Sequence, residues 1–243
     1  MPHLHERTLL LIGDDALARL RQRHVFIAGL GGVGSYAAEA IARAGVGRIT
    51  LLDHDVVAPS NLNRQLVALH STLERPKAEV MAERIRDIDP SIELHVRSDF
   101  LMPSTAESIV HENQPVDWML DCIDSIACKA AMVHACQRLG VPVASSMGAG
   151  GRMDVTKVRV GPLKKTELCP LAREMRKRLR DLGGSLDYPV VYSTEKPRKG
   201  TEHRPIGGNG PTGRPRSVNG TISYLPALFG MTLAGYVIRQ MLQ

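Results

Sequence analysis

Residues 25–34, Val-Phe-Ile-Ala-Gly-Leu-Gly-Gly-Val-Gly, contain the features that decide the fold. The first four residues are apolar without alternation, which is typical of a strand covered on both faces. Gly29-Leu-Gly-Gly-Val-Gly34 then has the GxGxxG spacing of a turn that joins such a strand to a helix. Backbone N–H groups in this turn can approach a phosphate closely, and the helix dipole favours its charge. The stretch predicts nucleotide binding, with a tight turn that holds no ligand as the alternative.

Strands and helices alternate along the chain around this turn. A short helix over 9–21, broken near Gly13, is predicted before the first strand. Apolar runs predict strands over 48–53, 93–97, 118–123 and 141–145, and helical spacing predicts helices over about 35–44, 77–87 and 127–139. This alternation predicts an α/β fold with a doubly wound, mostly parallel, Rossmann-like sheet.

The character of the sequence changes after residue 151. The elements predicted there are strands over 155–160 and 190–193, a basic helix over about 171–182, a mobile loop over 195–218 and a C-terminal helix over 222–242. The loop is rich in Gly, Pro, Arg and Lys and has no apolar periodicity. The C-terminal helix is mostly apolar but barely long enough to span a bilayer, and it is entered through Pro226. We therefore expect a buried helix and not a membrane contact.

The overall composition is ordinary for a globular chain, with 43% hydrophobic and 23% charged residues. The net charge of +6 suggests an anionic partner such as nucleic acid or a membrane surface, although solvated surfaces often carry a similar excess. Aromatic residues make up only 4%, so stacking of bases on aromatic rings is not the expected binding mode. No secretory signal or disulfide pattern is evident, which predicts a cytoplasmic location.

The cysteines argue against a structural zinc site, because none of the four forms a CxxC pair. Cys122, Cys128 and Cys136 are expected in the core. Cys169 has basic neighbours, so a nucleophile that forms a thioester is one hypothesis. We prefer the interpretation that it is an ordinary small residue at the start of a helix.

A polar loop follows the second predicted strand. Asp53 ends that strand nineteen residues after Gly34, where a carboxylate binds the ribose of a nucleotide. The same arrangement suits NAD, so an NAD-dependent oxidoreductase is a rival interpretation. The residues beyond it favour a triphosphate, because Arg64 and Lys77 can neutralise its charge. After the fourth strand, Asp124 can hold Mg²⁺ through one carboxylate ligand together with phosphate oxygens.

Together these motifs resemble the ubiquitin-activating-enzyme-like superfamily that includes MoeB, ThiF and HesA. The resemblance covers roughly residues 5–160 and is carried by GLGGVG at 29–34, LLDHDVVAPSNLNRQ at 51–65, Pro76-Lys77-Ala78 and DCIDS at 121–125. It implies an ATP-dependent adenylating enzyme that acts as a homodimer. The implied nucleotide-binding residues are Gly29, Gly31, Gly32, Gly34, Asp53, Asp55, Asn61, Asn63 and Gln65. The implied catalytic residues are Arg64, Lys77, Asp124, which is also the metal ligand, and Arg7, which in family dimers reaches the ATP of the other subunit.

The second half resembles the tRNA threonylcarbamoyladenosine dehydratase branch of that superfamily. The matching pieces are GAGG at 148–151, PLAR at 170–173, VVYSTE at 190–195 and GTISYLPALFGMTLAGYVI at 220–238. Cys169 departs from the pattern, because an Asp commonly precedes that Pro-Leu pair. MoeB and ThiF carry two CxxC pairs for zinc, which this chain lacks. We therefore expect one adenylating domain over 1–243, with an ATP-binding core over about 1–160 and a basic extension over about 161–243.

The branch implies a tRNA substrate and the cofactors ATP and Mg²⁺, without structural zinc. In the implied reaction the threonyl carboxylate of the modified adenosine attacks the α-phosphate of ATP. A nitrogen of the carbamoyl group then attacks the acyl-adenylate, closes a ring and releases AMP. The alternative function is adenylation of the C-terminal glycine of a small sulfur-carrier protein, and a sulfur-transfer protein is a candidate partner.

A basic helix face is the predicted contact for tRNA. Arg173, Arg176, Lys177 and Arg180 lie at spacings of three and four, so a helix would place them on one side. Such a surface can contact RNA phosphates without recognising sequence. A solvated helix face is the alternative.

Overall fold

The structure, a computed structural model, describes residues 4–198 and 220–243. Its helices are α1 (Glu6–Ile12), α2 (Asp14–Arg21), α3 (Gly34–Arg43), α4 (Lys77–Ile88), α5 (Ala106–Glu112), α6 (Ile126–Arg138), α7 (Pro170–Asp181) and α8 (Tyr224–Leu242). Its strands are β1 (His24–Ala28), β2 (Arg48–Leu52), β3 (Glu93–Arg97), β4 (Trp118–Asp121), β5 (Val143–Ser146), β6 (Val158–Pro162) and β7 (Pro189–Ser193). Most of the predicted loop over 195–218 lies outside the described residues.

These strands form one sheet in the order β3-β2-β1-β4-β5-β7-β6. Every neighbouring pair is parallel except β6 and β7. Alternate residues of β1 enter two hydrophobic clusters: Val25 and Ile27 join residues of α3, α4 and α8, whereas Phe26 and Ala28 join residues of α5, α6 and α7. Helices therefore cover both faces, and the predicted doubly wound, mostly parallel α/β fold is confirmed.

The predicted elements of the first half agree with the observed ones at nearly every boundary, including the break at Gly13 between α1 and α2. Helix α5 escapes prediction because its seven residues are too few to show a helical period. The strand predicted over 155–160 is wrong in its start. Asp154 Oδ1 accepts a hydrogen bond from Thr156 N at 2.9 Å, and this cap holds a short 3₁₀ turn that delays β6 until Val158.

Three parallel strands end side by side, and this sets the place of the ligand site. Ala28 of β1 pairs with Leu52 of β2 and with Asp121 of β4. The segments 29–34, 53–65 and 122–125 therefore leave the same edge of the sheet as neighbours. The connections run to opposite faces on the two sides of β1, and a crevice for ligands opens at such a point.

Helix α8 packs along α3 and reaches the Gly-rich turn. Its buried residues Leu225, Phe229, Leu233 and Val237 belong to the same hydrophobic cluster as α3. By length and composition it could cross a membrane, but 44% of the window that passes this test is buried inside the molecule. The expected buried C-terminal helix is therefore observed, beginning at Tyr224.

Two glycines of α8 make a matched pair for testing this packing. A Cβ on Gly230 would overlap the carbonyl oxygen of Val33 and lie 3.1 Å from Ala37 N, whereas a Cβ on Gly235 would meet nothing within 4 Å. We expect Gly230→Ala to lower the free energy of unfolding by about 1–3 kcal/mol. We expect Gly235→Ala to raise it by about 0.5–1 kcal/mol through its higher helix propensity. Urea unfolding measures both, and equal effects of the two substitutions would contradict the close packing of α8 on α3.

Candidate nucleotide-binding site

A cavity of about 520 Å³ opens at the edge of the sheet where β1, β2 and β4 end. Its walls come from the Gly-rich turn, the loop after β2, the start of α4 and the turns after β4 and β5. The predicted site residues that line it are Gly29, Gly31, Gly32, Asp53, Asp55, Asn61, Arg64, Gln65, Lys77 and Asp124. Three predicted residues, Gly34, Asn63 and Arg7, are not among the lining residues.

Asp53 fastens the Gly-rich turn to the end of β2. Its Oδ2 accepts a hydrogen bond from Leu30 N at 2.6 Å, and its Oδ1 accepts one from Asp55 N at 2.8 Å. Burial raises the pKa of Asp53, against the opposing effects of the Leu30 N–H and the Lys77 ammonium. The carboxylate is thus held rigidly beside the turn, where a ribose would meet it.

Lys77 brings a cation to the cavity from the first position of α4. The residue is 5% exposed. Its Nζ lies 2.8 Å from Asp55 Oδ2, while the Asp55 side chain is 54% exposed. A buried ammonium with an exposed carboxylate as its partner can turn to an anionic ligand at little cost, because water solvates the released carboxylate.

Arg64 is held in place by its own loop. One guanidinium nitrogen donates to Ser60 O at 2.8 Å and to Asn63 Oδ1 at 2.9 Å. Asn63 Nδ2 in turn donates to Thr221 O at 3.0 Å, which ties the loop to the segment before α8. Asn63 therefore holds Arg64 by a hydrogen bond and is not among the residues that line the cavity, and its role as a nucleotide contact stays a prediction.

Two buried amide side chains, those of Asn61 and Gln65, line the cavity together with Arg64. Asn61 Oδ1 accepts a hydrogen bond from Ala58 N at 3.0 Å, so this side chain shapes the loop as well as lining the cavity. Gln65 is 8% exposed, and its Oε1 has no hydrogen-bond partner among the described residues. Because an unpaired buried amide oxygen is costly, we expect Gln65 to gain a partner when the cavity is occupied.

The glycines of the turn divide into two kinds. Gly29, Gly31 and Gly32 line the cavity, where the absence of side chains leaves backbone N–H groups accessible. Gly34 opens α3 and is buried, and a Cβ there would overlap the carbonyl oxygen of Gly29 and lie 3.1 Å from Cys122 Cβ. Gly34 is thus required for close packing between the turn and the helix, and its role as a nucleotide contact stays a prediction.

Asp124 and Arg7 occupy different surroundings. Asp124 is exposed at the mouth of the cavity, in the loop after β4. Arg7 is exposed on α1 and takes no part in lining the cavity of its own chain. The structure places Asp124 with the predicted site, whereas the role of Arg7 at the ATP of a second subunit stays a prediction.

His54 and Phe100 also line the cavity, although neither was predicted as a site residue. Their ring centroids lie 4.6 Å apart with an interplanar angle of 77°. Phe100 is 65% exposed and follows the carboxyl end of β3, the strand beside β2. This position beyond a parallel strand is the signal that could have identified it from sequence, and the ring pair offers a stacking surface for a base.

Three of the four cations predicted to contact tRNA are exposed on α7, and the fourth is half-buried. Arg173, Lys177 and Arg180 are exposed. Arg176 is half-buried and donates hydrogen bonds to Thr166 O at 3.0 Å and to the Thr166 hydroxyl. The Arg176 guanidinium therefore holds the turn before α7, and tRNA contact by the four cations stays a prediction.

Cys122 and Cys128, which were expected in the core, are half-buried and line the cavity. Cys136 is fully buried on α6, and this burial raises the pKa of its thiol to about 12. Cys169 is 5% exposed and precedes the first residue of α7, within the hydrophobic cluster that contains Leu163 and Met175. These surroundings favour a small core residue at a helix start over a nucleophile.

Comparison with known proteins shows similarity over nearly the whole chain and not only around the cavity. The ThiF family model matches residues 5–243. The tRNA threonylcarbamoyladenosine dehydratase of Bacillus subtilis (strain 168) is 35% identical over 249 aligned residues, which span 100% of this chain and 96% of that protein. Crystal structures of the E. coli tRNA N6-threonylcarbamoyladenosine dehydratase with AMP and with ATP are 36% identical and cover 97% of this chain and 92% of that one. Their TM-scores are 0.86 and 0.85. Because these matches include the basic second half as well as the nucleotide site, the chain belongs to the ThiF family and, within it, to the tRNA threonylcarbamoyladenosine dehydratases.

Proposed function

We propose that this chain binds ATP and uses it to cyclise N6-threonylcarbamoyladenosine in tRNA by adenylating the threonyl carboxylate. The observation that carries the proposal is the cavity in which the Gly-rich turn, Arg64, Lys77 and Asp124 converge. Two cations in the cavity favour ATP over NAD, because the triphosphate carries more negative charge than the NAD pyrophosphate and gains further charge when it is cleaved. The full-length likeness to dehydratases, one of them crystallised with ATP, supports the substrate.

The side chains contribute position and charge. ATP lies with its ribose against Asp53 and its phosphates toward Arg64 and Lys77. A threonyl carboxylate oxygen attacks the α-phosphorus, giving an acyl-adenylate and releasing pyrophosphate, while the two cations stabilise the negative charge. The carbamoyl group then attacks the acyl carbon and expels AMP. Because both reacting groups belong to one molecule, ring closure needs no enzyme thiol, in keeping with the burial of Cys169.

We propose that Asp124 holds Mg²⁺ together with phosphate oxygens. The residues fit such an ion, because Asp124 is an exposed carboxylate at the cavity mouth and the other nearby acids are engaged. Asp53 accepts two backbone hydrogen bonds, and Asp55 pairs with Lys77. One carboxylate with phosphate and water oxygens is the usual set of Mg²⁺ ligands in nucleotide sites. When bound, Mg²⁺ supplies charge neutralisation at the phosphates.

We propose that Arg173, Lys177 and Arg180 contact tRNA phosphates. Replacing all three with alanine should weaken tRNA binding and reduce the slope of log K against log salt by about 2, since each lost phosphate contact removes a released counterion. The KM for ATP should stay unchanged. Arg178→Ala is the matched control, because Arg178 is an exposed cation of the same helix that lies 3.6 Å from Glu174. An unchanged salt slope in the triple variant would remove this face from the RNA surface.

We propose a homodimer in which Arg7 reaches the ATP bound by the partner. Arg7 is exposed on α1 beside Leu10 and Leu11, which are 78% and 85% exposed. Exposed leucines on one short helix favour an interface with a second copy. Arg7 would then neutralise charge in the manner of an arginine finger.

Mixing two inactive variants tests this arrangement. Arg7→Ala and Lys77→Ala should each lose activity, yet subunit exchange between them should restore about a quarter of the wild-type activity, because a mixed dimer has one intact site. If both residues served the same chain's site, mixing would restore nothing. Self-mixing of each variant is the control.

We further propose one adenylating domain over 1–243, located in the cytoplasm and built without structural zinc. Strands β6 and β7 of the basic second half extend the same sheet as the nucleotide-binding core, which supports a single domain. The four cysteines form no CxxC pair, which supports folding without zinc. No surface among the described residues identifies the sulfur-transfer partner considered from the sequence.

The proposed reaction is tested by measuring AMP release from ATP with tRNA that carries or lacks threonylcarbamoyladenosine. AMP should form only with the modified tRNA, and the nucleoside should lose the mass of one water. The alternative, adenylation of a sulfur-carrier protein, predicts AMP release with that protein and none with tRNA. Failure of modified tRNA to elicit AMP would reject the dehydratase function.

A further inference from the structure

Lys129 of α6 and Asp121 of β4 form an ion pair that solvent does not reach. Both side chains have 0% exposure, and Lys129 Nζ lies 2.9 Å from Asp121 Oδ2. A buried ion pair loses much of its attraction to desolvation, and apolar residues of similar volume often stabilise a fold as well. A contribution to stability is therefore a weak explanation for the presence of this ion pair. Its hydrogen bonds to the backbone suggest a positioning role instead.

The pair holds the backbone of the loop that leaves β4. Lys129 Nζ donates to Ile123 O at 3.1 Å and contacts Asp121 O at 3.4 Å. Asp121 Oδ1 accepts a hydrogen bond from Ile123 N at 3.2 Å, and its Oδ2 accepts one from Ser145 Oγ at 2.6 Å. The side chains of Lys129 and Asp121 thus bind the backbone carbonyl and amide groups of residues 121–123 at the edge of the sheet.

This segment connects directly to the nucleotide cavity. Asp124, the next residue after Ile123, is exposed at the cavity mouth. On the other side of the segment, Cys122 N donates to Ala28 O at 2.8 Å, beside the start of the Gly-rich turn. A shift of the segment would therefore move the Asp124 carboxylate relative to the turn, whereas neither Lys129 nor Asp121 lines the cavity.

We propose that Lys129 and Asp121 are positioning residues that fix the backbone of residues 121–124 and so place the Asp124 carboxylate for the adenylation step. The role in adenylation rests on the proposed function, whereas the fixing of the backbone does not. Small displacements of a catalytic group cost large factors in rate, because the reacting geometry is lost. The pair acts through Asp124 and touches no substrate.

The double variant Asp121→Asn/Lys129→Met separates positioning from stability. It removes both charges together, so no unpaired buried charge is left, and its Tm should stay within about 3 °C of the wild type. The kcat for AMP formation should fall at least about tenfold while the KM for ATP changes less than about twofold. Amide hydrogen exchange of residues 122–124, measured without any ligand, should become faster. Ile109→Ala, a buried substitution on α5 outside the cavity, is the control for a general loss of core packing. It should leave the kcat and the amide exchange of residues 122–124 unchanged.

Ser145→Ala provides a second, milder test, because it removes the hydrogen bond to Asp121 Oδ2 without touching either charge. It should raise exchange at residues 122–124 and lower kcat a few-fold, about as expected for one lost buried hydrogen bond. Wild-type exchange at residues 122–124 in both variants would overturn the proposal. Faster exchange with unchanged kcat would overturn the placement of Asp124. If wild-type enzyme released no AMP with modified tRNA, the proposed function would fail, and the exchange data would still decide whether the pair fixes the backbone.

Discussion

Replacing Lys77 with alanine is expected to abolish tRNA-dependent AMP formation, with kcat/KM falling on the order of 10²- to 10³-fold. The ammonium sits in a residue only 5% exposed and presents the main buried positive charge of the cavity wall at the start of α4. No other group of the loop can replace it, because Arg64 is tied to Ser60 and Asn63. The fold should survive, since the Asp55 side chain left behind is 54% exposed and remains solvated.

Binding of tRNA distinguishes a catalytic loss from a general one. Lys77 is too buried to contact an RNA backbone, so the Kd for tRNA should stay within about twofold of the wild type. Lys164→Ala is the matched control: Lys164 also pairs with an aspartate, Asp187 at 2.7 Å, but lies outside the cavity. Its AMP formation at saturating tRNA should equal that of the wild type. Parallel loss of tRNA binding and AMP formation in Lys77→Ala would refute the separation of the ATP and tRNA sites.

Gly34→Ala is expected to destabilise the protein by about 3 kcal/mol or more and to eliminate ATP binding. The added methyl would overlap Gly29 O, and it would lie 2.8 Å from Gly29 C and 3.1 Å from Cys122 Cβ. The obstacle on one side is backbone, which cannot rotate away. Relief of the overlap requires the turn to separate from α3, and that movement would disperse the N–H groups that face the cavity.

Gly31→Ala is the matched control within the same turn. A Cβ on Gly31 would find its nearest neighbour, Gln65 Nε2, at 3.7 Å, an ordinary contact distance. We expect its free energy of unfolding to lie within about 0.5 kcal/mol of the wild type. Urea unfolding without ligand and calorimetric titration with ATP measure the two effects. Similar stabilities for both alanine variants would show that Gly34 is not required for the packing of turn against helix.

The core of the candidate site was predictable because its residues are marked by their position in the chain. Asp53 directly follows a parallel strand, and Lys77 opens the next α-helix after the polar loop. Strand ends of a parallel sheet share one edge, so local sequence predicts their meeting. Phe100 was missed because no motif includes it, and His54 was missed because its motif was interpreted through its carboxylates, amides and guanidinium. The two rings nevertheless meet at the same edge. The hydrogen bond of Arg176 to Thr166 was not predictable, since helical spacing cannot tell which cation the preceding turn will hold.

By itself the sequence determined the fold class, the Gly-rich turn between β1 and α3 and the membership of an adenylating family. Glycine spacing, apolar runs and the residues that follow them act over a few positions, so they can be recognised without coordinates. Only the tertiary structure decided that Gly34 packs closely against Gly29 and Cys122, and that Lys129 and Asp121 meet under the loop of Asp124. Those roles depend on burial and on partners from other elements, and such contacts form only when distant segments pack together.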